Sequence, residues 1–149
     1  MKKASSKVAD VLEQKGDSVS TIQPTDTIAT LSRRLRDEQV GALIVSADGR
    51  SVDGIISERD VAYALATHLG ELHSMPVSAL MTKTVISCAP TDKISDAAKV
   101  LRENRIRHLP VTDGKTLLGV IGMRDILIQR LDDIRHSTKK VTHLVNTNA

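Results

Sequence analysis

At 149 residues, 40% of them hydrophobic, the chain is the size of one ordinary domain and holds enough apolar material for a core. Its net charge of +3 comes from bases interleaved with acids ("SRRLRDEQ", "LRENRIRH"), and Tyr63 is its one aromatic residue, so nothing offers stacked bases a platform and nucleic acid is disfavoured as a partner. No apolar run approaches the roughly 20 residues of a membrane span, "MKKASSKVAD" lacks a signal peptide's apolar stretch, and the single Cys88 excludes an internal disulfide or thiolate cage; a cytoplasmic protein with a buried thiol is expected.

Residues 1–18 hold a short leading helix marked by Val8, Val11 and Leu12. A β stretch at Val19 to Ile22 then meets Pro24-Thr25-Asp26, a helix start signal, and Ile28, Leu31 and Leu35 follow at helical spacing. Two β-branched runs, Val40 to Val45 and Val52 to Ile56, are joined through "ADG", and a helix from Arg59 to about His68 closes the segment. Residues 71–83 form a short linker with a proline and a helical turn at Val77, Leu80 and Met81. The order then recurs: a β stretch at Val85 to Cys88, "PTD" at 90–92, and a helix with Ile94, Ala97, Ala98 and Leu101. Runs at Ile106 to Val111 and Thr116 to Ile121 are joined through "DG", and a helix from Arg124 to about Ile134 ends the copy. The last stretch, 135–149, lacks a clear period and is expected to fray or to mediate a contact.

Both copies therefore read β-α-β-β-α, over 19–70 and 84–134. Pro24 lies on Pro90, and "GIISERD" (54–60) lies on "GVIGMRD" (119–125); the one lost residue falls in the hairpin turn. A unit of about 60 residues buries too little surface to be comfortable alone, so the copies are expected to form one domain.

"VGALIVSADG…VDGIISERD" and "RIRHLPVTDG…LLGVIGMRD" resemble the two motifs of a tandem cystathionine-β-synthase (CBS) domain pair, and the resemblance runs from about Val8 to Leu131. The closest likeness is to stand-alone bacterial CBS pairs. It implies an α/β (α+β) fold of two pseudo-symmetric repeats packed through their sheets, and a homodimer associating through flanking helices. It also implies a regulatory role, with an adenosine-containing ligand such as AMP, ATP or NAD held in the cleft between repeats. The family signature, Gly-h-h-Ser/Thr-x-x-Asp, gives the Asp to the ribose hydroxyls. Ser57 and Asp60 fit it fully; Asp125 fits, with Gly122 where the hydroxyl should be.

By the same resemblance one site gathers Ser57, Asp60, Val85, Ile86, Ile106, Arg107, His108 and Pro110, and the other gathers Asp125 with Ser20, Val40, Gly41 and Ala42. Arg107 offers a charged fork to phosphate and His108 a donor that gains charge beside an anion. Arg59 and Arg124, each one residue before the Asp, could reinforce phosphate binding at a helix start or pair with a neighbouring acid. The second site, poorer in charge, is expected to bind more weakly.

A plainer reading competes: Ser-x-x-Asp entering a helix is also a capping box. Asp125 persists where the hydroxyl is lost, which implies a use for the acid beyond the Ser cap. His68 and His73 have no third partner by motif and are expected to be solvated, not metal-bound. No phosphate loop, catalytic triad or metal constellation marks an enzyme, so no catalytic residue, catalytic cofactor or metal is expected, and the regulated partner is not specified by the sequence. The alternative to a sensor is a ligand-free dimerisation or docking module.

Overall fold

The structure is a computed structural model that describes residues 6–16, 19–68 and 70–147, with side chains to 138 in the last helix. It is a mixed α/β protein whose elements group into two compact units. One comprises Ser18–Ser87 with Thr112–Leu118; the other comprises Met1–Asp17, Cys88–Val111 and Gly119–Ala149.

In the first repeat β1 (Thr21–Ile22) runs parallel to β2 (Ala42–Val45), which pairs antiparallel with β3 (Gly54–Ser57). Asp26 shapes the entry to α2 (Ile28–Glu38): its carboxylate accepts the Gln23 N–H at 3.0 Å, and Thr27 caps the helix by accepting the Thr30 N–H at 3.2 Å. The β2–β3 loop winds around Asp48, whose carboxylate accepts the N–H groups of Ser51 and Arg50 and the hydroxyls of Ser51 and Ser46. These donors, the Ser51 N–H foremost, hold that carboxyl well below the usual carboxylate range. Helix α3 is Glu58–Leu65.

The second repeat repeats the plan with α5 (Ile94–Glu103), β4 (His108–Asp113), β5 (Thr116–Gly122) and α6 (Met123–Thr147). Asp92 accepts the Ala89 N–H at 2.9 Å, as Asp26 does for Gln23. The chain leaves α2 at its cap Gln39, and α5 one residue past its cap Asn104 at Arg105, through a non-glycine residue in the left-handed region, each at φ 54°.

Two expectations need correcting. The β stretch at Val85 to Cys88 is reduced to a bridge between Cys88 and Val111, with Cys88 N–H donating to the Pro110 carbonyl. Pro110 stands where Ile44 stands in β2 and has no N–H to return to the ladder. The stretch after Ile134 is helical, for α6 runs to Thr147 through a sequence without Gly or Pro.

Each leading helix belongs to the core of the other copy. Helix α1 (Val8–Lys15) puts Val8 and Val11 among Ile94, Leu101, Leu109 and Ile121 of the second repeat. Its backbone is tied there by Val8 N–H to Asp92 O (2.8 Å), Ala9 N–H to Pro90 O (2.9 Å) and Ile94 N–H to Ser6 O (3.1 Å). Conversely α4 (Val77–Leu80) and the 3₁₀ turn Leu72–Ser74 put Val77 and Leu72 among Ile22, Ile28, Leu31 and Ile56 of the first repeat. The glycine that opens each "G-h-h" phrase makes room for this crossing: a Cβ on Gly119 would lie 2.6 Å from Leu12 Cδ2, and one on Gly54 would lie 2.8 Å from Met81 Sδ.

Candidate functional site

The duplicated phrase forms a strand-to-helix corner in each repeat. In the first, Ser57 pairs with Ala42, the Glu58 N–H donates to the Gly41 carbonyl at 2.9 Å, and Ser57 becomes the N-cap of α3. Asp60, half-buried, reaches back from the third helical position. Its Oδ2 accepts the Ser57 N–H at 2.8 Å and the Ser57 hydroxyl at 3.1 Å, while Ser57 Oγ accepts the Asp60 N–H at 3.3 Å.

In the second repeat Gly122 takes the place of Ser57 and Asp125 that of Asp60. Asp125 Oδ2 still accepts the Gly122 N–H, at 2.8 Å. The partner that the missing hydroxyl would have been is Lys15 at the end of α1, whose Nζ donates to Asp125 Oδ2 at 3.0 Å and to the Val120 carbonyl at 2.7 Å. A Cβ at 122 would be a tight fit, 3.1 Å from the Arg107 carbonyl oxygen and 3.8 Å from His108 Cδ2. Thus His108 and the Arg107 backbone border the Asp125 corner, as Gly41 and Ala42 border the Asp60 corner.

The corner acids share a pattern with three others. An Asp carboxylate takes the backbone N–H three residues before it at Asp10 (2.7 Å), Asp26 (3.0 Å), Asp60 (2.8 Å), Asp92 (2.9 Å) and Asp125 (2.8 Å). This half of the capping box needs no hydroxyl. Retention of Asp125 beside Gly122 is therefore accounted for by the cap and does not by itself imply a further use for the acid. The bonds that the caps and Lys15 make to the Asp60 and Asp125 carboxylates end on Oδ2.

The remaining predicted residues take varied places. Arg107 is exposed at the start of the β4 run, and Arg59 and Arg124 are exposed in the first turns of α3 and α6. Ser20 Oγ accepts from the Arg34 guanidinium, which also bonds Glu38 at 2.9 Å; the Ser20 hydroxyl and Arg34 hold the Glu38 carboxyl below its ordinary value. Pro110 and Ala42 are buried, Val85, Ile106 and Gly41 are half-buried, and Val40 and Ile86 are exposed. Lys15 escaped sequence reasoning because it lies 110 residues from its partner. So did an apolar surface pocket of about 350 Å³ in the first unit, lined by Ile28 and Ser32 of α2, Val61 and Leu65 of α3, and by His68 and His73.

Cys88 is buried, and burial together with the Asp92 charge pushes its thiol up to about 12. At pH 8 the thiolate fraction is then about one in ten thousand. Iodoacetamide at that pH is expected to leave native Cys88 unmodified and to alkylate it in denaturant; mass spectrometry showing rapid native alkylation would contradict the burial.

Among the described residues no group of three His, Cys, Asp or Glu could hold a metal ion, and no helix is long and apolar enough to cross a membrane. The CBS domain family model matches residues 8–67 and 77–132, each match beginning at a leading helix, which bears out the resemblance. CBS domain-containing protein YhcV of Bacillus subtilis is 28% identical over 115 residues, 77% of this chain and 81% of that protein. The crystal structure of the CBS-domain containing protein ATU1752 from Agrobacterium tumefaciens is 32% identical with a TM-score of 0.79, over 84% of this chain and 99% of that one. CBSX2, whose structure was solved in complex with AMP, shares the fold at 23% identity and a TM-score of 0.70, over 85% of this chain and 96% of that one.

Proposed function

We propose that this chain, which belongs to the CBS-domain family and carries two of its repeats, is a cytoplasmic, homodimeric regulatory module that binds an adenosine-containing ligand such as AMP, ATP or NAD. The observation that carries the reading is the half-buried carboxylate held at the same corner of each repeat by a cap bond to its Oδ2. The other oxygen, Oδ1, offers two lone pairs to the neighbouring hydroxyls of a ribose, and the cap orients it in advance. The AMP complex of the similarly folded CBSX2 supports the ligand class.

In this reading Ser57 and Asp60 hold a ribose, and Arg107 and His108 take phosphate. Val85, Ile86, Ile106 and Pro110 face the base. Asp125 is the weaker sugar acceptor, because Lys15 already offsets its acid; Ser20, Val40, Gly41 and Ala42 are the remaining proposed contacts. Arg59 and Arg124 are secondary phosphate contacts at the helix starts.

Thermal melting with AMP, ADP, ATP, NAD and S-adenosylmethionine tests it. A ligand at 100 times its Kd adds about 2.7 kcal/mol to stability. Asp60→Asn is the informative variant: the amide oxygen can still cap Ser57, whereas Ala would forfeit about 1 kcal/mol of cap and blur the comparison. The expected result is an unliganded melt close to the parent's and a ligand shift mostly lost, with a smaller loss in Asp125→Asn. No shift with any of the five at millimolar concentration sinks the proposal. Equal titrations in both variants and the parent would point to a ligand-free docking module.

A further inference from the structure

The two corners are alike in backbone and unlike in charge, and the difference comes from the leading helices. Helix α4 has four residues, and the chain leaves it through the Thr82 bridge to Ile55. Helix α1 has eight, so that Lys15 in its last turn reaches the Val120 carbonyl of β5 at 2.7 Å. The helix is held at both ends. Its first turn is tied to Asp92 and Pro90, and near its last turn Gln14 Nε2 donates to Asp132 of α6 at 3.0 Å. Lys15 is therefore a fixed part of the second corner, placed there by the packing of α1.

An ammonium group has three N–H donors. In Lys15 two of them go to the Val120 carbonyl and to Asp125 Oδ2, and the side chain, 42% exposed, keeps a third for what lies outside. The corner thus presents a carboxylate and an ammonium side by side, the carboxylate 22% exposed. Arg124, one residue before Asp125, and Arg107, whose backbone borders the corner, add charge of the same sign as Lys15.

We propose that Lys15 is the specificity-determining residue of this corner, selecting a riboside that carries a phosphate over the neutral nucleoside. The inference rests on the sugar-binding reading of Asp125 and adds to it the choice between ligands. A neutral riboside meets an acid whose charge the ammonium already offsets, so its hydroxyls gain little. A phosphorylated one gives hydroxyls to Asp125 and an anion to the third N–H, and a hydrogen bond between ions is about twice as strong as a neutral one. At the first corner Asp60 is met by the neutral Ser57 hydroxyl and keeps its charge for a sugar, phosphorylated or not.

Titration calorimetry of the full chain with adenosine and with AMP tests it, in an Asp60→Asn background that removes the other sugar acceptor. AMP is expected to bind about tenfold more tightly than adenosine, by a margin that shrinks as salt is raised. Lys15→Met keeps the aliphatic stem and removes the ammonium. It should weaken AMP by about tenfold and leave adenosine unharmed or up to about fivefold tighter, while Lys15→Arg keeps the preference. A loosened helix would weaken both ligands together, so the change in their ratio is the readout. An unchanged ratio in Lys15→Met, or an equal loss of both ligands, overturns the role of Lys15 and leaves the sugar reading standing. AMP binding that disappears in Asp60→Asn, or that survives Asp60→Asn/Asp125→Asn, shows that the second corner takes no ligand and overturns the inference alone. A parent chain that binds neither adenosine nor AMP overturns the inference and counts against the sugar reading beneath it.

Discussion

Replacing Val8 by Asp is expected to unfold the second repeat first, although Val8 precedes the first repeat in the chain. Val8 is fully buried, and its neighbours in the core are residues such as Ile94, Leu101, Leu109 and Ile121. An Asp there forfeits the buried Val side chain and leaves a carboxylate without a partner, a combined cost of about 3 to 5 kcal/mol. Helix propensity does not confuse the result, because an acid in the first turn of α1 is favoured by the helix dipole. Amide hydrogen exchange followed by fragment is the measurement. Protection should fall at Leu101, Leu109, Ile121 and Ile126 while Ile22, Ile44 and Ile56 stay protected. Fast exchange in the first repeat, or an equal loss in both, would show that α1 does not serve the second core.

The local grammar of the repeats was legible because each part rests on neighbours in sequence. The apolar spacing of Ile28, Leu31 and Leu35 predicts α2, and the "DG" turns place the two hairpins around Gly49 and Gly114, both at positive φ (77° and 61°). The corner phrase predicts the strand-to-helix junctions of α3 and α6. What the sequence hid is non-local or lacks its usual marker. Nothing in "VADVL" says that it docks 80-odd residues downstream, and nothing marks Lys15 as the partner of Asp125. The left-handed ends at Gln39 and Arg105 carry no glycine to announce them. Val85 to Cys88 has strand composition, but its pairing depends on an N–H that Pro110 lacks.

At the candidate site the sequence marks the two strand-to-helix corners, and one reason it offers for their acids does not hold. The contest between cap and ribose was framed as exclusive, with Gly122 as the arbiter. The geometry makes the two compatible: one oxygen serves the helix, and the other is oriented by that service. The copies also differ in charge. Asp60 is satisfied by a neutral hydroxyl and backbone, whereas Asp125 is offset by a cation. That ion pair is partly exposed, so about 0 to 1 kcal/mol of stability rests on it. Under the proposed function its larger consequence is to make Asp125 a weaker acceptor for a sugar.

Gly54→Ala is expected to lower stability clearly, and Gly119→Ala to be nearly neutral, although the two glycines open the same phrase. A Cβ on Gly54 would stand 2.8 Å from Met81 Sδ and 2.9 Å from the Thr82 carbonyl oxygen. The sulfur can swing aside. The carbonyl cannot, because it accepts the Ile55 N–H at 3.0 Å in a bridge closed by Thr82 N–H to Ile55 O at 2.9 Å. Overpacking against fixed backbone costs about 1 to 3 kcal/mol. At Gly119 the close atom is Leu12 Cδ2 at 2.6 Å, with the next atoms at 3.8 Å, so a turn about the Leu12 χ2 torsion that swings this one carbon aside makes room. Both substitutions gain about 0.4 to 1 kcal/mol by restricting the unfolded chain, enough to cancel the strain at 119 and not at 54. Each kcal/mol moves the melting temperature of a chain this size by about 2 to 4 °C. Thermal melts should therefore separate the two variants by several degrees, and equal losses, or a larger loss at 119, would mean that the Thr82 bridge is not the rigid element it is taken to be.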